Sequence, residues 1–163
     1  MTSLITFSKF LGLVVSLNIV RYTVPMPYEL PLAVTPMMDA MRASSVYFNS
    51  TFTTVDWITS YVYNFLMWLS FTWLYFYIHR VFKGNHVTKS LKLYAIMLGV
   101  FSAVSAIYMN HYSHPKDFYL WSIVDAVFVF PVVAIANGLL FPLIFRKELG
   151  SPAVSRASEK TAA

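Results

Sequence analysis

Four long apolar stretches, separated by segments that contain charges or prolines, dominate the pattern of this sequence. They cover residues 4–20, 57–78, 91–110 and 119–145. The second stretch runs for 22 residues without a charge, which at about 1.5 Å per residue is enough to cross a hydrocarbon core about 30 Å thick. We therefore predict an all-α, polytopic membrane protein, in which residues 1–149 form a four-transmembrane-helix bundle.

A long segment connects the first two predicted spans. Residues 21–56 contain four prolines together with Glu29, Asp39, Arg42 and Asp56. Prolines remove backbone hydrogen-bond donors and charges are costly in hydrocarbon, so this segment is predicted to lie outside the membrane. It forms a long outer segment between helices one and two.

Two short motifs stand out within the outer segment. Thr35 followed by Pro36 predicts an N-cap and the first position of a short helix that lies on the membrane surface. Asn49, Ser50 and Thr51 form a sequon, so Asn49 is a predicted glycosylation site in a eukaryotic secretory compartment.

The composition supports a membrane protein, and its basic residues predict an orientation. Hydrophobic residues make up 58% of the chain and charged residues 12%, with twelve Lys and Arg against seven Asp and Glu. The predicted inner ends hold Lys9, Arg80, Lys83, Lys89, Lys92, Arg146, Lys147, Arg156 and Lys160, and the outer segments hold Arg21, Arg42 and Lys116. By the positive-inside rule both termini are cytoplasmic, in the endoplasmic reticulum membrane if the cell is eukaryotic. Residues 150–163, rich in Ser and Ala, are predicted to be a disordered cytoplasmic tail.

Aromatic and amide side chains form one stripe on the second predicted helix. The stripe contains Trp57, Tyr61, Asn64, Trp68, Phe71 and Tyr75, which follow one another at intervals of three and four residues. An amide finds no partner in hydrocarbon, so the stripe should face protein or a ligand. Both interpretations remain open: a lining for a hydrophobic ligand, with Trp57, Tyr61, Asn64, Trp68 and Tyr75 as ligand-binding residues, or ordinary packing of the bundle.

Small residues in the third predicted span indicate where another helix approaches. Gly99 and Ala103, and Ser102 and Ala106, are small residues four positions apart. Such pairs are typical of closely packed transmembrane helices. We therefore expect this face to contact a neighbouring helix.

Asp125 is the one carboxylate inside a predicted span. A carboxylate at that depth is costly, which makes it a candidate functional residue. It is our first candidate for a proton donor, followed by Glu29 and Asp56 near the mouth of the bundle. The alternative is that Asp125 accepts a hydrogen bond from Ser122 or a tyrosine and has only a structural role.

The sequence predicts neither a metal nor a cofactor. Of the four histidines, His79 and His86 lie in the predicted inner loop and His111 and His114 in the outer turn, and the chain has no cysteine to complete a metal site. Nucleotide-binding, nucleophile-elbow and zinc-protease motifs are absent, which disfavours hydrolases and nucleotide-driven proteins. No basic run accompanies the positive charge, so no nucleic-acid partner is predicted.

The layout between Leu11 and Phe145 has a recognisable order. Its elements are Pro27, Glu29 and Pro31 after the first span, Trp57 opening the second, Phe82, Lys83 and Gly84 closing it, Tyr94 early in the third, and Pro131 in the fourth. This order resembles the EXPERA family, which includes the emopamil-binding sterol isomerase and the sigma-type sterol-binding receptors.

The resemblance implies four spans, a sterol-like ligand and catalytic carboxylates. In the family these lie near the end of the first span, in the outer segment and inside the second span. The matching neighbourhoods here hold Val20 and Arg21, Phe48 and Asn49, and Asn64 and Phe65, none of which is acidic. Glu29, Asp56 or Asp125 must then take the place of the family acids.

Two function classes follow. The first is an intramembrane cavity for a sterol- or terpenoid-like molecule, with an acid-initiated isomerisation or cyclisation whose carbocation is stabilised by the rings of Trp57, Tyr61, Trp68, Trp73 and Tyr75. The second is a non-catalytic accessory or assembly subunit that docks against another membrane protein or a second copy of the chain.

Overall fold

The computed structural model describes residues 2–48, 53–111 and 115–149, and no strand occurs among them. The helices are α1 (Thr2–Thr23), α2 (Met26–Glu29), a π-helical turn (Leu30–Val34), α3 (Thr35–Ala43), α4 (Thr54–Ile78), α5 (His86–His111), α6 (Lys116–Ile144) and α7 (Arg146–Leu149). The predicted all-α class is confirmed for these residues. Asn49 and the tail 150–163 lie outside them, as does His114.

Three helical stretches are long and apolar enough to cross a bilayer: Leu4–Ala43, His86–His111 and Lys116–Ile144. The helix α4 has 25 residues but is not one of them, because its many Trp, Tyr, Ser and Thr residues lower its mean hydropathy. The stretches indicate an integral membrane protein in contact with lipid.

Aromatic contacts fix how the long helices run. Phe10 of α1 lies against Phe76 of α4 and against Phe145, the residue that follows α6, with ring centroids 5.7 and 5.8 Å away. At the other end of the bundle, Tyr22 contacts Tyr61 at 5.3 Å. The helix α1 is therefore antiparallel to α4, and the four long helices share one core.

Two helices approach each other closely at Gly138 of α6. A methyl group added there would lie 2.4 Å from the Cα atom of Val87 and 2.9 Å from the carbonyl oxygen of His86, both in the first turn of α5. One residue earlier, the buried Asn137 donates a hydrogen bond of 2.9 Å to Ser90 Oγ. Only glycine leaves room for this contact.

The small residues predicted to pack in the third span do not make this contact. Around Gly99 there is open space, and Ala103 and Ala106 are exposed. The expectation was wrong for a single chain because α5 turns a different face to α6, the face that carries Ser90 and Tyr94.

The connection after α1 differs from the predicted surface helix. Thr35 is not an N-cap, since its φ of −61° and ψ of −51° are helical. The helical path begins at Met26 and continues to Ala43 through the π-helical turn, which contains Pro31 and precedes Pro36. This segment packs on α6, where Ser122 Oγ lies 3.5 Å from Met37 Sδ.

We predict that Gly138→Ala destabilises the protein and that Gly99→Ala does not. The new methyl group at position 138 meets backbone atoms of α5, which forces the helices apart. Overpacking of this kind costs about 1 to 3 kcal/mol in soluble proteins. Thermal unfolding in detergent measures both variants, and equal melting temperatures would show that the α5–α6 contact is looser than described.

Candidate functional site

A buried ion pair joins the end of α1 to α2. Arg21 Nη1 donates to Glu29 Oε2 at 2.8 Å, and Arg21 Nη2 lies 2.7 Å from Glu29 Oε1. The side chains are only 12% and 6% exposed. The helix is interrupted only at residues 24 and 25, and Arg21 and Glu29, eight apart in sequence, form a bidentate, charge-assisted contact across this bend.

Asp125 of α6 joins this ion pair. Its Oδ2 lies 3.6 Å from Arg21 Nη2, and its Oδ1 is buried without a hydrogen-bond partner among the described residues. Ser122 is not its donor, because the Ser122 hydroxyl donates to the carbonyl oxygen of Phe118 at 2.8 Å. One guanidinium thus faces two carboxyl groups. We call Arg21, Glu29 and Asp125 the charged cluster.

A cavity of about 270 Å³ opens beside the charged cluster. It is lined by Arg21, Tyr22, Met26, Glu29, Leu30, Val34 and Trp57. Two of the predicted site residues, Glu29 and Trp57, therefore meet at one cavity. Its walls are mostly apolar and aromatic, and its charge is supplied by the Arg21–Glu29 pair.

Asp56 does not join the charged cluster. It forms a capping box at the start of α4: Thr53 donates from its backbone nitrogen at 2.8 Å and from Oγ1 at 2.7 Å to Asp56 Oδ2. The hydrogen bonds from the Thr53 side chain and backbone hold the pKa of Asp56 below its usual range. Asp56 is therefore bonded within the cap of α4 and apart from Arg21, Glu29 and Asp125, so the geometry does not favour it as the acid.

The aromatic stripe of α4 divides into a buried part and an exposed part. Trp68 and Tyr75 are both 0% exposed. Trp68 packs on Tyr94 and Phe130, with ring centroids 6.1 and 5.5 Å away, and Tyr75 lies 4.9 Å from Phe141. No water-sized space adjoins either side chain, so their assignment to a ligand lining is corrected: they pack the core.

The polar atoms of the buried part are bonded within the protein. Asn64 accepts a hydrogen bond from Trp68 Nε1, one turn away on the same helix. The hydroxyl of Tyr75 donates to the carbonyl oxygen of His86 at 2.9 Å. Asn64 is thus held by the helix itself, without requiring a ligand.

Tyr61 belongs to the exposed part of the stripe. It lines a second cavity, of about 460 Å³, between α1 and α4. The residues around this cavity are Val15, Asn18, Ile19, Tyr22, Thr23, Tyr61 and Phe65. Tyr22 lines both cavities, so they are neighbours.

The histidines form no metal site in the part of the chain that the structure describes. Nowhere in it do three His, Asp or Glu residues come together as a ligand set. His79 and His86 are near each other, with ring centroids 5.7 Å apart. Burial lowers the pKa of His79, and its Nδ1 donates to the carbonyl oxygen of Phe76 at 2.8 Å. This imidazole is neutral and is held by its own helix.

Arg21 and Tyr22 line the cavity, although the sequence does not predict either as a site residue. The available signal was local: a basic residue ends an apolar stretch, and a glutamate follows eight residues later across a proline turn. Asp125, by contrast, is brought in from 104 positions further along the chain by the packing of α6 on α1.

Comparison of the chain with models of protein families, with curated proteins and with solved structures found no match in any of the three. The proposed function rests on the geometry of the site.

Proposed function

We propose that this is a membrane protein with four transmembrane helices that binds a sterol- or terpenoid-like molecule in the cavity beside Arg21 and Glu29. The observation that carries the proposal is a buried ion pair in the wall of an otherwise apolar and aromatic cavity. Charged groups can anchor the polar end of an amphiphile, while Trp57, Leu30 and Val34 contact its apolar part.

The four-span topology rests on α4 as well as on the three apolar stretches. Residues 57–78 contain no charge, and Trp68 and Tyr75 of this helix are fully buried against α5 and α6. With α4 as a span, both termini and the loop between α4 and α5 lie on the cytoplasmic side. In this topology three basic residues lie on the outer side. Two of them are paired with carboxylates, Arg21 with Glu29 and Arg42 with Asp39.

An acid-initiated isomerisation or cyclisation suits the charged cluster. Asp125 would give its proton to an olefin carbon or an epoxide oxygen: the acid O–H bond breaks, a new C–H or O–H bond forms, and the C=C π bond or one epoxide C–O bond breaks to leave a carbocation. The resulting carbocation loses a proton from a neighbouring carbon to a carboxylate, and the product is an isomer of the substrate. Trp57 and Tyr22 offer electron-rich ring faces, each worth about 0.5 to 2 kcal/mol to a desolvated cation.

The proposal agrees with the resemblance to the EXPERA family in one respect. In the family a carboxylate lies near the end of the first span, and here the residues at that point of the sequence, Val20 and Arg21, are not acidic. Glu29 and Asp125 nevertheless bring two carboxyl groups to Arg21, near the end of α1. They are the substitutes for the family acids in this proposal.

The alternative is a non-catalytic accessory or assembly subunit. The observation that favours it is the exposed aromatic face of α4, where Leu69, Ser70, Trp73, Leu74 and Tyr77 surround a space of about 570 Å³. Such a face fits a partner membrane subunit or a second copy of the chain. Burial of Trp68 and Tyr75 removes the middle of the aromatic stripe from any docking surface.

The orientation can be tested with single cysteines, because the chain has none of its own. Lys83 and Asp117 are exposed residues at opposite ends of the bundle. We expect a membrane-impermeant thiol reagent to label Asp117→Cys in sealed, right-side-out cells or vesicles, and to label Lys83→Cys only after permeabilisation. The reverse pattern would mean that the termini are not cytoplasmic.

Ligand binding is tested by mass spectrometry of lipids extracted from the gently purified protein. We expect one sterol or isoprenoid in near-stoichiometric amount, reduced about tenfold in Trp57→Ala, since about 1.4 kcal/mol of lost contact is a factor of ten. Trp73→Ala is the matched control, because Trp73 is exposed to the same degree, 48% against 49%, on another face of α4. Absence of any enriched molecule from the wild type would leave the accessory-subunit alternative.

The acid role of Asp125 is tested on the molecule found in that extract. Asp125→Asn keeps the size of the side chain but removes the transferable proton, so we expect turnover to fall by about 10² to 10⁴ while binding persists. Ser122→Ala, one turn away, is the control and should retain turnover. Wild-type turnover by Asp125→Asn would eliminate Asp125 as the acid.

A further inference from the structure

The second cavity, between α1 and α4, is an open apolar groove that the bundle leaves uncovered. We call it the groove. Val15 and Ile19 form its α1 side, and Tyr61 and Phe65 its α4 side. The helices touch below it, where Phe10 contacts Trp73 at 5.3 Å, and above it, where Tyr22 contacts Tyr61. It extends about 10 Å along α1, from Val15 to Tyr22.

Two polar side chains of the groove, Asn18 and Thr23, donate hydrogen bonds to their own helix. Asn18 Nδ2 donates to the carbonyl oxygen of Val14 at 2.9 Å, and Thr23 Oγ1 donates to that of Ile19 at 2.7 Å. These two donor groups therefore need no hydrogen-bond acceptor from a bound molecule. The groove therefore favours an apolar occupant.

Tyr22 stands between this groove and the cavity of the charged cluster. Its ring meets Tyr61 edge-on, and the guanidinium carbon of Arg21 lies 5.0 Å from its centroid. The ring is thus held by one contact on each side. A molecule that occupied both the groove and the cavity beside Arg21 would therefore contact the ring of Tyr22.

We propose that the groove holds the apolar body of an alcohol of the sterol or terpenoid class, which enters from the bilayer between α1 and α4 and places its hydroxyl at the Arg21–Glu29 pair. This inference rests on the proposed function. It adds the route of entry, the position of the apolar body and the chemistry of the polar end.

The charges favour a hydroxyl over the phosphate of a lipid. One guanidinium faces the two carboxyl groups of Glu29 and Asp125 at 2.7 and 3.6 Å, so the charged cluster has no excess of positive charge for an anion. A neutral hydroxyl donates to a carboxylate and accepts from a guanidinium, and it satisfies both. The groove and the cavity of the charged cluster share Tyr22 as a lining residue, and this proximity argues for an amphiphilic alcohol.

The experiment uses photolabelling of the full chain in vesicles. The probes are cholesterol with a diazirine in its side chain and a diazirine derivative of geranylgeraniol; a phospholipid with a diazirine in its acyl chain reports bulk lipid. We expect at least one alcohol probe to label peptides containing residues 15–23 and 61–65 in preference to those containing residues 69–77. Excess of the untagged alcohol should remove this labelling.

Ile19→Trp fills the groove and should reduce labelling there about tenfold. Ile107→Trp is the matched control, because Ile107 on α5 is similarly exposed, 55% against 60%, and lines neither cavity. Melting temperatures check that both variants fold. Val15→Trp is a second groove variant, used if Ile19→Trp is unstable.

The outcomes separate this inference from the proposed function. Labelling that excess alcohol does not remove, or that the phospholipid probe reproduces on residues 15–23, identifies ordinary bulk lipid and overturns the inference. Crosslinking of two chains through the groove would assign it to a second copy. If a ligand co-purifies with Ile19→Trp as with wild type but is lost from Glu29→Gln, the proposed function stands and the groove has no part in it.

Discussion

The cost of an unpaired charge in a low-dielectric bundle is the constraint on which this fold depends. Arg21 lies in the last turn of α1 with its side chain largely buried, and its guanidinium must find carboxylates. The bend at residues 24 and 25 places Glu29 beside it, and the helical path that follows then packs on α6, which contributes Asp125. The same ion pair therefore fixes α2 on α1 and supplies the charged wall of the cavity.

Aromatic residues in this protein serve two purposes that their helical spacing does not distinguish. Trp68 stacks on Tyr94 of α5 and meets Phe130 of α6 edge-on, and its indole nitrogen donates a hydrogen bond to Asn64 Oδ1. Trp57, eleven residues earlier on the same helix, instead faces the cavity beside Arg21. The difference comes from the neighbours, since α5 and α6 cover the middle of α4 and leave its first turns uncovered.

Local patterns predicted the helices well, but not which faces meet. Apolar runs located the four long helices, and the intramembrane position of Asp125 marked it as a candidate. The contact between residues 21 and 125 depends on how α1 and α6 pack, which no spacing within one helix specifies. For the same reason the small-residue pattern indicated Gly99, whereas the close contact lies at Gly138: both are small residues in apolar helices, and only the packing shows which of them meets a backbone. Thr35 and Pro36 have the sequence of a helix start, yet the π-helical turn allows the helix to continue through them.

The two carboxyl groups of the charged cluster are not equivalent, and their geometry assigns them different roles. Both oxygens of Glu29 are engaged by Arg21, at 2.7 and 2.8 Å, so protonating Glu29 would break the two-pronged contact that holds α2 on α1. Asp125 meets Arg21 through one oxygen at the longer distance of 3.6 Å, and its other oxygen has no partner among the described residues. A single guanidinium balances the charge of a single carboxylate, so the neutral form of the cluster carries one proton. Placing that proton on Asp125 disturbs one contact at 3.6 Å, whereas placing it on Glu29 disturbs two shorter ones. In the acid-initiated reaction that we propose, Glu29 would therefore be the positioning residue and Asp125 the donor.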